Sequence, residues 1–332
     1  MTSVDSPTHE ELVASMTGGM VASNPATFGG SDLLRSDGRP RPEFRTQLRR
    51  IDNRRNAATV LSILAAPIAV VWIVARLDAW WATAIGVLVM GMIQTRLYIL
   101  HHEAAHRLLF SNRAINDLVG INLLGWLPFG TGTHHYRRGH ANHHRDEFGP
   151  NEPDFLLYAF YPIPGASMRR KLRRDATGVS AYRLMKPRFT GLLKSDYRSL
   201  SLRFFLGQLI VFGSFAIVGE PLLYLVLWVL PFLTYYQVQN RLRSIAEHAG
   251  MTRSPDRRDT THHVVQHWLP SLFITPYSVG YHLAHHVDSG IPFRNLPVLH
   301  RALRDAGYVD PDLVWPNYRS LWKSLVRGTA TS

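Results

Sequence analysis

The 332-residue chain contains no cysteine. That absence excludes disulfides, thiolate metal sites and cysteine-held iron–sulfur clusters, so any metal bound here is held by nitrogen and oxygen. Acidic residues are few: 24 Asp and Glu face 37 Lys and Arg, a formal net charge of +13. No nucleic-acid-binding motif accompanies this excess, and a surface lying against anionic lipid headgroups accounts for it, so no nucleic-acid partner is expected. Solenoid-type repeats are missing too. Charge of either sign disappears from four apolar runs, 57–75, 79–95, 204–219 and 221–240.

Each run is close to the ~17–25 residues that cross a bilayer's hydrocarbon, and none shows the polar stripe of a helix in a soluble bundle. They come as two pairs, joined by Arg76-Leu77-Asp78 and by Gly219-Glu220. Membrane spans are therefore expected at about 57–75, 79–99, 204–219 and 221–240, arranged as two helical hairpins. So short a connection returns both ends of a pair to one side of the membrane. Nearly all basic residues lie away from the hairpin tips, in "RPRPEFRTQLRRIDNRR" (39–55), in the loop 96–203 and after 240; Arg76 alone sits at a tip. The positive-inside rule then places the termini and the long loop in the cytoplasm.

The same side gathers histidines. "RGHANHHRDEF" (138–148) sets His140, His143 and His144 at i, i+3 and i+4, spacings that share one face of a helix. "YHLAHH" repeats the spacing with His282, His285 and His286. The second run continues through "RLYILHHEAAHRLLF", carrying His102 and His106 four apart, and the fourth continues through "RLRSIAEHAG", carrying His248. At ~1.5 Å per residue these ligands reach a similar height above the bilayer. Nine imidazoles exceed the roughly four to six positions around one transition metal, so two ions are the natural reading. Zinc sites close at about three or four protein ligands; iron adds the redox capacity to cleave O2 and attack an unactivated C–H bond.

The segments "HHEAAHRLLFSNRAINDLVG" (101–120), "GHANHHRDEFGPNEPDF" (139–155), "LRSIAEHAG" (242–250) and "YHLAHHVDSGIPFRNLPVLH" (281–300) resemble, in order, the histidine boxes of the membrane fatty acid desaturase family. The resemblance implies an all-α membrane protein, with four transmembrane helices as two hairpins and a cytoplasmic helical cap holding a histidine-rich dimetal site. It implies two Fe ions, with O2 as co-substrate, held by His102, His106, His140, His143, His144, His248, His282, His285 and His286. Residues 1–38, without the apolar core of a signal peptide, read as a disordered tail; 39–56 read as a basic cytoplasmic segment and 57–332 as the catalytic domain. Many relatives carry an acid in the third box where this chain has Ala284, so Asp288, Asp146 and Glu103 are the nearby substitutes; Ser244 stands where some relatives hold a water, and Glu247 and Asp154 read either as acceptors for ligand rings or as an exposed helix charge and a loop cap.

The activity implied is O2-dependent insertion of a C=C bond into the long acyl chain of an acyl-lipid or acyl-thioester. The alternative is hydroxylation or ketolation of a lipid or carotenoid-like substrate, since similar boxes serve both. A metal transporter fits less well, because the histidines gather on one side instead of lining a path through the membrane. No fused electron-carrier domain is visible, so electrons are expected from a separate ferredoxin-like donor, at the cytoplasmic face of a bacterial plasma membrane. His263 and His267 mimic a box but fall where relatives place no ligand. His101 points about 100° away from His102. His134 and His135 read as loop or entrance residues, and His9 and His300 as structural or solvated. The stretch "DLVGINLLGWLPFG" (117–130) is too short to span and reads as interfacial, either walling a substrate tunnel or packing on the hairpins.

Overall fold

A computed structural model describes residues 26–131, 135–309 and 314–327, together with residues 8, 11, 19–21 and 311. Four helical stretches, Pro42–Leu77, Trp80–Ala105, Ser195–Ile217 and Pro221–His248, are long and apolar enough to cross a membrane. Numbering the principal helices in chain order, α1 is Pro42–Leu48, α2 Asn53–Leu77 and α3 Trp80–Ala105. The first hairpin turns at Asp78, which caps α2 in the left-handed conformation that a short polar side chain tolerates. Helix α4 follows as three continuous pieces, Arg113–Ile115, Asn116–Trp126 and Leu127–Phe129, the middle one wound in wide i→i+5 turns. Next come α5 (His135–Arg145), α6 (Gly165–Ala176), α7 (Val179–Thr190) and α8 (Ser195–Ile217). The second hairpin turns at Gly219 (φ 84°) into α9 (Pro221–Leu223, Tyr224–Val229 and Leu230–Leu233), and Thr234 breaks the run before α10 (Tyr235–His248). Two cap helices complete the set, α11 (His282–Val287) and α12 (Leu296–Asp305).

The hairpins show outward faces that water would penalise and lipid would not: Leu61, Ile68, Trp72, Leu209, Ile217 and Leu222 are all exposed. Among the described residues strand is minimal, two parallel pairings of two residues each, Ile163–Pro164 with Val326–Arg327 and His263–Val264 with Val314–Trp315. One buried core joins the hairpins to α11 and α12, and a second, around Phe148, Tyr158, Ile245 and Leu321, lies within the cap.

Helix α4 packs against α3, as the hairpin-packing alternative for 117–130 expects. A Cβ on Gly120 would stand 2.0 Å from Ala104 Cβ, and one on Gly125 2.2 Å from His101 Nδ1, so only glycine admits this approach. The tail expected over 1–38 is corrected at its C-terminal end. Leu34 is 0% exposed, within the membrane-side core, and Phe28 sits edge-on to Tyr308 with ring centres 5.2 Å apart. Beyond it, Arg45 binds Asp288 at 2.5 and 3.1 Å and Asn295 donates to the Leu48 and Arg50 carbonyls, tying the entering chain to the segment after α11.

Candidate metal centre

Helices α3 and α10 run past the apolar spans and end with His102 and His248 in their last turns, His106 following α3 as its cap. The short helices α5 and α11 cross above them. All nine box histidines converge there, in two groups. The ligand-capable nitrogens of His102, His106, His140, His144 and His285 lie within 4.8 Å of one another, and so do those of His143, His248, His282 and His286. Helical phase explains the division. On α5, His140 and His144 (i, i+4) face one group and His143 the other; on α11, His282 and His286 face one and His285 the other. The groups adjoin, with the His144 and His286 rings 4.4 Å apart and those of His143 and His144 5.3 Å apart.

Three rings are fixed from outside. His143 Nδ1 lies 2.8 and 2.9 Å from the Glu152 carboxylate oxygens, His286 Nδ1 2.5 Å from Glu147, and His248 Nδ1 donates to the Thr260 carbonyl at 2.8 Å. Arg257 holds Glu147 in turn at 2.6 Å and donates to the His144 carbonyl. With Nδ1 so engaged, Nε2 is the nitrogen left for the centre. The six expected supporting residues divide. Asp154 lies with Glu152 within 4.8 Å of His143, and Glu247 stands 3.6 Å from His282 Nδ1. The other four engage elsewhere: Glu103 accepts from the Phe293 N–H, Asp146 pairs with Arg253 at the surface, Asp288 binds Arg45, and the Ser244 hydroxyl donates to the Asn240 carbonyl. Glu147, Glu152 and the Thr260 carbonyl were not anticipated.

The donor set fits metal ions. Burial and neighbouring imidazoles hold His140, His144, His282, His285 and His286 well below the ordinary histidine range, and burial pushes His106 down to about 3, so these rings are neutral donors at pH 7. His143 moves the other way: burial pulls it down, but the Glu152 carboxylate, aided by Asp154 and Glu147, more than offsets this. Buried nitrogens of His144 (Nδ1), His285 (Nε2) and His286 (Nε2) have no hydrogen-bond partner among the described residues. The contacts His106 Nε2–His140 Nε2 (2.8 Å), His140 Nε2–His144 Nε2 (3.0 Å) and His248 Nε2–His282 Nε2 (3.0 Å) match the ~3.0 Å edge between adjacent ligands around an ion at ~2.1 Å.

The other described histidines stay out of both groups. His101 bonds the Gly120 carbonyl and the Thr131 hydroxyl. His263 stacks on His300 at 4.5 Å, His262 bonds the Ala249 carbonyl, and His135 and His267 are exposed. His9 and His134 lie outside the described residues.

Two openings reach eight of the nine histidines from different sides. A cavity of about 610 Å³ between α7, α9 and α10 touches His102, His140, His143, His248 and His282, with Phe129 of α4 in its wall. A second depression of about 560 Å³ touches His106, His144 and His286 and is rimmed by Arg35, Arg39, Arg45, Arg49 and Arg257.

Comparison with known proteins adds two findings. The family model described as fatty acid desaturase matches residues 78–317. The dihydrorhizobitoxine desaturase of Bradyrhizobium elkanii is 28% identical over 261 residues, covering 71% of this chain and 72% of that protein.

Proposed function

Because the chain belongs to the fatty acid desaturase family, we propose that its two imidazole groups hold two iron ions and that it is a membrane oxidoreductase inserting a C=C bond into its substrate. Family membership implies an acyl substrate, and the name of the relative makes dihydrorhizobitoxine one candidate to offer. The convergence of five and four imidazoles at the inner end of the 610 Å³ cavity carries the reading. The irons supply activation of O2 for hydrogen abstraction from unactivated C–H bonds. The balance is R–CH2–CH2–R′ + O2 + 2 e⁻ + 2 H⁺ → R–CH=CH–R′ + 2 H2O.

The protein's own part is positional. Glu152, Glu147 and the Thr260 carbonyl fix three rings of the group of four, so that part of the ligand cage is preorganised. The cavity wall must hold two adjacent C–H bonds near the cage, since a second abstraction has to precede transfer of oxygen to carbon. The arginine-rimmed depression supports delivery of electrons by a separate acidic carrier of the ferredoxin kind, docking where His106, His144 and His286 come closest to solvent. In this reading the metal centre faces the cytoplasm, beneath a bacterial plasma membrane.

The test is purified protein analysed for metal, then supplied with reductant and O2. About two irons per chain and a product lighter by two hydrogens are expected. A product heavier by one oxygen would replace desaturation by hydroxylation and leave the metal assignment intact; absence of bound metal would overturn the whole reading.

A further inference from the structure

The 610 Å³ cavity has one wall unsuited to a bare hydrocarbon chain. Along α10, Gln237, Asn240, Ser244 and His248 recur at three- and four-residue spacing, so one continuous helical face turns polar groups into it. Gln237 Nε2 donates to the Phe232 carbonyl, leaving its Oε1, like Asn240 Nδ2, without a protein partner among the described residues. At the inner end, beside the metal ligands, stands Arg243. Its buried Nε–H has no hydrogen-bond acceptor among the described residues, although Glu247 lies 3.5 Å away. Asp154 lines the same end. Toward α7 the cavity meets Arg188, half-buried, with no acidic partner among the described residues and with burial pulling its pKa down.

Methylene groups laid along this wall would take those polar atoms from water and return no hydrogen bond. A guanidinium beside two carboxylates instead matches a ligand that is an anion at one atom and a hydrogen-bond donor at the next. Resting on the desaturase reading above, we propose that the substrate, within the acyl class the family implies, is a compact polar carboxylic acid carrying hydrogen-bond donors, of the amino-acid kind, and that Arg243 binds its carboxylate. A lipid phosphate at the same arginines is the competing source of an anion.

Equilibrium binding to the metal-loaded full chain in detergent, without reductant, separates these. The probes are norleucine, hexanoate, hexan-1-ol and dipalmitoyl phosphatidylcholine in mixed micelles. Norleucine should bind most tightly, hexanoate more weakly and hexan-1-ol least. Arg243→Gln should weaken norleucine at least tenfold, and the near-isosteric Asn240→Leu should weaken it severalfold at unchanged metal content, which keeps the test valid if the first variant fails to fold. Hexan-1-ol or the phospholipid binding as tightly as norleucine, or norleucine binding unchanged in Asn240→Leu, would overturn the assignment. Because no turnover is read, this outcome is independent of the product mass that decides between desaturation and hydroxylation.

Discussion

Replacing Glu152 by Ala should empty one metal position while the other stays filled. The Glu152 side chain is 0% exposed and both its oxygens lie within 2.9 Å of His143 Nδ1, so the ring's orientation and its basicity depend on one carboxylate. Outer partners of this type change metal affinity by about 10–100-fold, or ~1.4–2.7 kcal/mol. Glu152→Gln keeps an acceptor oxygen but loses the charge, so it should fall near the tenfold end; Glu152→Ala also frees the ring and leaves a buried N–H unsatisfied, so it should approach a hundredfold. The group of five imidazoles does not include His143 and should hold its ion as in the unaltered protein. Titration with a graded series of chelators, followed by metal analysis, should show a plateau near one iron per chain in Glu152→Ala where the parent still holds two. Chelation curves that superimpose for parent and Glu152→Ala would refute the idea that this carboxylate tunes the group of four.

Other outcomes follow from the same geometry. His143→Ala or His285→Ala should abolish turnover without preventing membrane insertion, whereas His263→Gln should keep metal and turnover, both read on the same preparations. Burial holds His263 at about 3 and His300 at about 4, below the unfolded value near 6.5, so the unfolded chain binds protons first; stability is full above ~6.5 and is lost as pH falls toward 4. His263→Gln should therefore flatten the acid side of a thermal-melting profile, and an identical profile would contradict the pair's neutrality. Reversing charge at Arg35 and Arg49, neither of which has an acidic partner among the described residues, should cut kcat/KM for an acidic iron–sulfur donor roughly tenfold at low salt and less at high salt, with dithionite-driven turnover unchanged. Gly125→Ala, which forces a Cβ toward the His101 ring, should destabilise by about 1–3 kcal/mol in chemical denaturation.

Spacing made the hairpins and the nine histidines legible, because both depend on periods that a linear chain displays directly. The carboxylates that orient the rings were harder. Asp146 and Glu147 are neighbours, and which of the two turns inward depends on how the chain leaves α5, a detail no period encodes. Asp146 points to Arg253 at the surface while Glu147 is buried against His286. Composition misled at 26–38 for a similar reason: a segment rich in Ser, Gly and Asp looks unanchored, yet one buried leucine and the ring of Phe28 seat it. For the α4 stretch, length left tunnel wall and hairpin packing both open; its glycines, which admit close approach to α3, carry the packing.

The two openings have a kinetic consequence. Ligands exposed in the arginine-rimmed depression belong to different histidines from those touching the large cavity. An electron carrier on one side therefore need not wait for organic product to leave the other. Initial-rate plots at varied donor and substrate should intersect, as for a ternary complex, instead of running parallel as they do when two reactants take turns at one door.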